Sequence, residues 1–71
     1  MLITGTITYI KIAGGFWGIK GDDGRKYCPT SPLPSKYQRE GLRIRALVYP
    51  STSMSIFMWG EQVKVSNIEH I

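Results

Sequence analysis

Cys28 and His70 are the only cysteine and the only histidine in this 71-residue chain. A nucleophile–base pair would need them in hydrogen-bond contact. A zinc site would need about four ligands. Nothing in their spacing supplies either. Asp22 and Asp23 are adjacent carboxylates, but catalytic acids face each other across a cleft, and these two lead into Gly24 as turn residues do. Gly14-Gly15 precedes a strand-like run, so it is not the glycine loop that cradles a phosphate at a helix start. The sequence therefore reads as a non-enzyme with no catalytic residue, no metal site and no cofactor. Its remaining chemistry is stacking and charge, carried by aromatic side chains interleaved with lysine and arginine.

That interleaving centres on residues 14–27, GGFWGIKGDDGRKY. Asp-Gly supplies the backbone conformations a hairpin turn needs. Phe16, Trp17 and Ile19 before it, and Tyr27 and Cys28 after it, suit a pleated sheet. A loop of residues 21–24 sets Lys20 against Arg25 and Gly18 against Tyr27. A two-residue Asp23-Gly24 loop sets Lys20 against Tyr27. Strand side chains alternate, so both registers give the same faces. Phe16, Gly18, Lys20, Arg25 and Tyr27 are expected outside, with Tyr27 lying over Gly18 or beside it. Trp17, Ile19 and Cys28 are expected in the core, on the face they share with Lys26.

Nine Lys and Arg against five Asp and Glu give a net charge of +4. That balance permits binding to phosphate backbones or acidic proteins. It also serves solubility alone. One cysteine allows no internal disulfide, which suits a cytosolic protein. No run is long enough for a membrane helix, and the start lacks the pattern of a signal peptide. The expected setting is soluble and cytoplasmic.

Residues 2–13 read as one long first strand. Ile3 and Ile7 share one parity and Ile10 and Ile12 the other, which predicts a bulge or bend near Thr8–Ile10. Residues 28–34 hold three of the four prolines and read as loop. Residues 34–40 can form one or two helical turns, with Pro34 at the start, Gly41 past the end, and Leu33 and Tyr37 packing together or onto the barrel floor. Residues 42–49 alternate, with Leu42, Ile44, Ala46 and Val48 against Arg43, Arg45, Leu47 and Tyr49. Residues 54–69 make one interrupted strand or two, with a phase change near Ser66-Asn67. Three strands, a short helix, then two or three strands predict an all-β fold. It is a single OB-fold-like, five-stranded Greek-key barrel over residues 1–71, with the helix between strands three and four. An SH3-like barrel is the alternative.

The pieces Gly15-Phe16-Trp17-Gly18-Ile19, Asp22-Asp23-Gly24, Gly41-Leu42-Arg43-Ile44-Arg45 and Met58-Trp59-Gly60 together resemble a group of small uncharacterised bacterial and archaeal proteins. These occur alone or inside larger chains, and their predicted fold is the same barrel. The resemblance spans residues 5–68 and departs at Thr30-Ser31-Pro32. It implies the fold and no activity.

Barrels of this type bind single strands across strands two and three, between the loops after strands one and four. Here that surface is expected to carry Phe16, Lys20, Arg25 and Tyr27. Arg43, Arg45 and Tyr49 extend it if the fourth strand's outer face is continuous with it, and Lys11 borders it. The expected partner is single-stranded DNA or RNA. Against this stands the plainer reading that Phe16 and Tyr27 only cover each other. The alternative function is a protein-interaction or self-association module, a regulator or inhibitor with no nucleic-acid role. Trp59 and Phe57 are expected in the core or as a barrel plug.

Overall fold

The computed structural model describes residues 1–12, 14–51 and 59–71. The strands are β1 (Leu2–Ile10), β2 (Phe16–Gly21), β3 (Lys26–Pro29), β4 (Arg43–Pro50) and β5 (Glu61–His70). A single 3-10 turn, Ser35–Tyr37, lies between β3 and β4. The strands close into a barrel in the order β1-β2-β3-β5-β4, with β4 pairing back onto β1. The β3–β5 pair is parallel and the others are antiparallel. This is the all-β, OB-fold-like barrel expected from the element order, with a 3-10 turn where one or two helical turns were expected. The expected alternation in residues 54–58 lies outside the described residues.

β1 serves both halves of the barrel because it pairs with β4 through its first part and with β2 through its second. Gly5 pairs with both Gly21 and Ile44, and a Cβ there would come within 2.5 Å of the Lys20 carbonyl oxygen. Of the bulge or bend expected at Thr8–Ile10, no bulge forms. The register against β2 runs unbroken from Gly5 to Ile10, and the strand simply ends there, leaving Ile12 exposed. The apolar parity change marks a strand end rather than a bulge. The register slip falls instead between Leu47 and Val48, which pair with Asn67 and Val65. Ser66 is the extra residue, so the phase change read near Ser66-Asn67 is a β-bulge.

The core contains Ile3, Ile7, Ile19, Tyr27, Leu33, Tyr37, Ile44, Ala46, Val48 and Val63, with Trp17, Leu42, Val65 and Ile68 packed against it. The alternation of β4 is as expected, with Ile44, Ala46 and Val48 inside. Leu33 and Tyr37 join this core, and the Tyr37 hydroxyl donates to the Ile68 carbonyl at 2.9 Å. Pro29, expected in a loop, ends β3 and pairs with Val63.

The hairpin forms as expected but its faces do not. Ile19 pairs with Tyr27 and Lys20 with Lys26, so the loop has three residues. Gly21 N–H donates to Arg25 O, Gly24 N–H donates to Gly21 O, and Gly24 takes a φ of 85°. That is a tight turn closed by a glycine bulge. A three-residue loop reverses the parity given by two or four residues. Tyr27 therefore joins Ile19 in the core at 0% exposure, and Lys26 and Cys28 take the other face. Cys28 is buried, but it stands outside the connected core cluster.

Candidate functional site

The outer face of β2 and β3 is set by Phe16, Gly18 and Lys20 on one strand and Lys26 on the other. Gly18 leaves a hollow there, and the indole of Trp59 occupies it. A Cβ on Gly18 would lie 2.5 Å from the indole Cζ3. The Trp59 ring meets Phe16 edge to face, with centroids 5.6 Å apart and planes at 71°. Lys26 Nζ stands 5.8 Å from the indole centroid, within cation–π range. Gly60, with a φ of 68°, turns the chain into β5 directly after Trp59, and a Cβ there would meet the Lys26 backbone at 2.7 Å. Trp59 is thus neither core nor plug, as the sequence suggested, but an outer cover for the hairpin.

The seven residues expected to bind nucleic acid fall in three places. Phe16 and Lys20 are on this face, Phe16 half-buried and Lys20 exposed. Tyr27 is removed from it by the reversed register. Its hydroxyl, at the barrel end, donates to Asp23 Oδ2 at 2.9 Å. The three arginines and Tyr49 are exposed but do not sit on the β2–β3 face itself. Arg25 pairs with Glu61 at the hairpin end. Arg43 forks onto both carboxylate oxygens of Asp22 at 2.6 Å and reaches the Thr6 hydroxyl at 3.0 Å. Arg45 pairs with Glu69. Tyr49 sits at the far end of β4 opposite Lys64, next to the Leu2–Leu47 pair. Thr6 pairs with Lys20 on one side and Arg43 on the other, so that one row does continue across three strands.

Charge on this face comes from lysine. All three arginines expected at the site are matched by a carboxylate. Lys20 and Lys26 form no ion pair among the described residues. Lys11, expected as a border, is exposed just past the end of β1. The Glu40 carboxylate accepts the Tyr9 N–H at 2.8 Å. That bond, helped by the Thr8 hydroxyl, holds Glu40 below the usual carboxylate range. Asp22 is likewise lowered, first by its hydrogen bonds from Arg43. Asp23 is lowered by the Arg25 N–H and then by the Tyr27 hydroxyl. Burial pushes the Cys28 thiol up, away from the thiolate a nucleophile needs. His70 is exposed on β5, and no acid–cysteine–histidine cluster that could hold a metal occurs among the described residues.

The sequence missed Trp59 and Lys26. The available signal was Gly18, a glycine inside an aromatic strand, which calls for a ring to cover it. Tyr27 was the near candidate, and the ring came from the other end of the chain.

Family models, curated proteins and solved structures were all compared with the chain, and none of them matches it. No helix among the described residues is long and apolar enough to cross a membrane.

Proposed function

We propose that this chain is a non-catalytic binding module that takes single-stranded nucleic acid across the outer face of β2 and β3. The observation that carries this is the Phe16–Trp59 pair, seated on Gly18 and flanked by Lys20 and Lys26. Bases stack on aromatic faces with little sequence preference, at about 1–3 kcal/mol each, while cations hold the backbone. Two rings and two lysines support weak, sequence-tolerant, salt-sensitive binding. A cytoplasmic setting belongs to the same reading, supported by a lone free cysteine in a small domain. Fluorescence anisotropy with short labelled DNA and RNA strands tests it. The expected result is saturable binding that weakens between about 50 and 200 mM salt. No binding to any single strand at low salt overturns it.

A second reading has its own observation. Met1, Leu2 and Tyr49 are exposed at 45%, 64% and 48%, and Leu2 pairs with Leu47 across β1 and β4. That apolar patch favours the protein-contact or self-association alternative. Light scattering across a concentration series tests it, and a strict monomer with no protein partner counts against it.

A further inference from the structure

β2 and β3 part company after two residue pairs, Ile19 with Tyr27 and Lys20 with Lys26. The same register carried on would set Trp17 opposite Pro29. Gly21 donates toward β3, and backbone groups of a strand alternate in direction. The Trp17 carbonyl is therefore aimed toward β3 as well, where Pro29 has no N–H to offer it. β3 turns to β5 instead, with Thr30 N–H donating to Val63 O at 2.9 Å. The strands splay, and a cavity of about 300 Å³ opens between Phe16 and Trp17 on one side and the 29–33 segment on the other, with Gln38 also lining it.

This cavity is walled by rings and prolines, and its lining residues Trp17 and Gln38 carry hydrogen-bond acceptors. Gln38 Nε2 donates to the Leu33 carbonyl at 2.8 Å, which holds the amide and leaves Oε1 as its free end. Thr30 and Ser31, both exposed, also line the cavity. Among the described residues no charged side chain lines it. Its volume is at the small end of ligand sites, roughly 300–1,000 Å³, and admits one flat ring system. Phe16 belongs to both the cavity and the Trp59 platform, so a strand lying on the platform has its end beside the opening.

We infer that the splayed end of β2 and β3 is a pocket for one unstacked nucleobase with an exocyclic amino group, at the end of a bound single strand. The inference rests on the nucleic-acid reading above and adds a base preference to it. Cytosine and adenine present an N–H₂ donor to the Trp17 carbonyl and Gln38 Oε1. Thymine and uracil flank their single N–H with two carbonyls, which would face those acceptors. A site built to pair a polar group discriminates through the partners left unpaired.

Two measurements separate the pocket from the platform. In the first, an eight-residue thymidine strand is compared with the same strand ending in deoxycytidine at either end. The cytidine-ended strand is expected to bind at least five-fold tighter. Gln38→Leu and, separately, Thr30→Phe, which fills the opening, are each expected to remove that ratio and leave the all-thymidine affinity in place. In the second, free cytidine and free thymidine are titrated against Trp59→Phe protein, whose only tryptophan is Trp17. Cytidine is expected to change Trp17 emission saturably and thymidine to do so much less. Strand binding with no end preference and no cytidine response overturns the pocket and leaves the platform standing. A ratio that survives in both variants also overturns it. A cytidine response without binding of any strand overturns the platform and, with it, the strand-end role of the pocket.

Discussion

Gly18 and Trp59 fit each other: the indole occupies the space a Cβ on Gly18 would take, at 2.5 Å from Cζ3. Gly18→Ala therefore displaces the ring or strains the strand. Overpacking of this kind costs about 1–3 kcal/mol when nothing yields. The indole is half-buried on the outer face and not in the core, so the expected outcome is a small stability loss with a larger change in its emission. Single-strand affinity should fall with it. Unchanged emission in Gly18→Ala would mean that the indole does not rest there.

Tyr27 separates a structural role from a binding one. It is fully buried and donates to Asp23. Tyr27→Phe keeps the ring and loses one hydrogen bond, worth about 1 kcal/mol, a fall in Tm of about 4–8 °C for a domain this size. Tyr27→Ala removes a core ring at about 3–5 kcal/mol, a large share of a small domain's stability. Chemical denaturation of the two variants checks this. Tyr27→Phe should bind single strands as the parent does.

Acid should weaken the fold through the hairpin. Asp22 and Asp23 are both held below their ordinary 3.8 by Arg43 and by the Arg25 N–H. Folding therefore favours their ionised forms. That contribution is complete above the unfolded value and is lost as pH falls through the lower folded values. Denaturation midpoints measured from pH 6 down to pH 2 should decline across that acid window, and Asp23→Asn should flatten the decline. An identical profile in the variant would assign the acid sensitivity elsewhere.

Charge changes should move affinity in opposite directions. Lys20→Ala and Lys26→Ala each remove one cation from the platform, so the slope of log affinity against log salt should fall by about 0.7 per lysine for a single strand. Asp22→Asn releases Arg43 from its carboxylate and should raise affinity a few-fold with a steeper slope. The pair is exposed and screened by solvent, so it contributes little to stability and the gain should come at little cost to the fold. Salt titrations of the three variants are the check.

The inward set of β4 and a phase change near Ser66 were legible, because apolar parity records which side of a strand is buried; that the phase change is a bulge was not. The faces of the hairpin were not. Gly21-Asp22-Asp23-Gly24 accommodates loops of two, three or four residues, and a change of one residue moves Tyr27 from surface to core. The choice is made by Gly24 in its left-handed conformation and by the space beside Ile19, neither of which local pattern reveals. Trp59 was hidden for a different reason. Its partner Gly18 lies far away in sequence, and the two meet only because β5 pairs with β3. Arg43 and Arg45 were read correctly as outward on β4, whereas Arg25, opposite Gly21, shares the parity of Tyr27 and not of the outer face. All three meet a carboxylate, Asp22 in the hairpin turn or Glu61 and Glu69 on β5, which removes them as free charges.

The most direct test of the platform is a map of backbone amide shifts as a short single strand is added to the labelled protein. Largest shifts at Phe16, Gly18, Lys20, Lys26 and the Trp59 indole N–H, with little change at Leu2, Leu47 and Tyr49, are the predicted result. Shifts gathered on the Leu2–Leu47 side, or none anywhere at low salt, would contradict it.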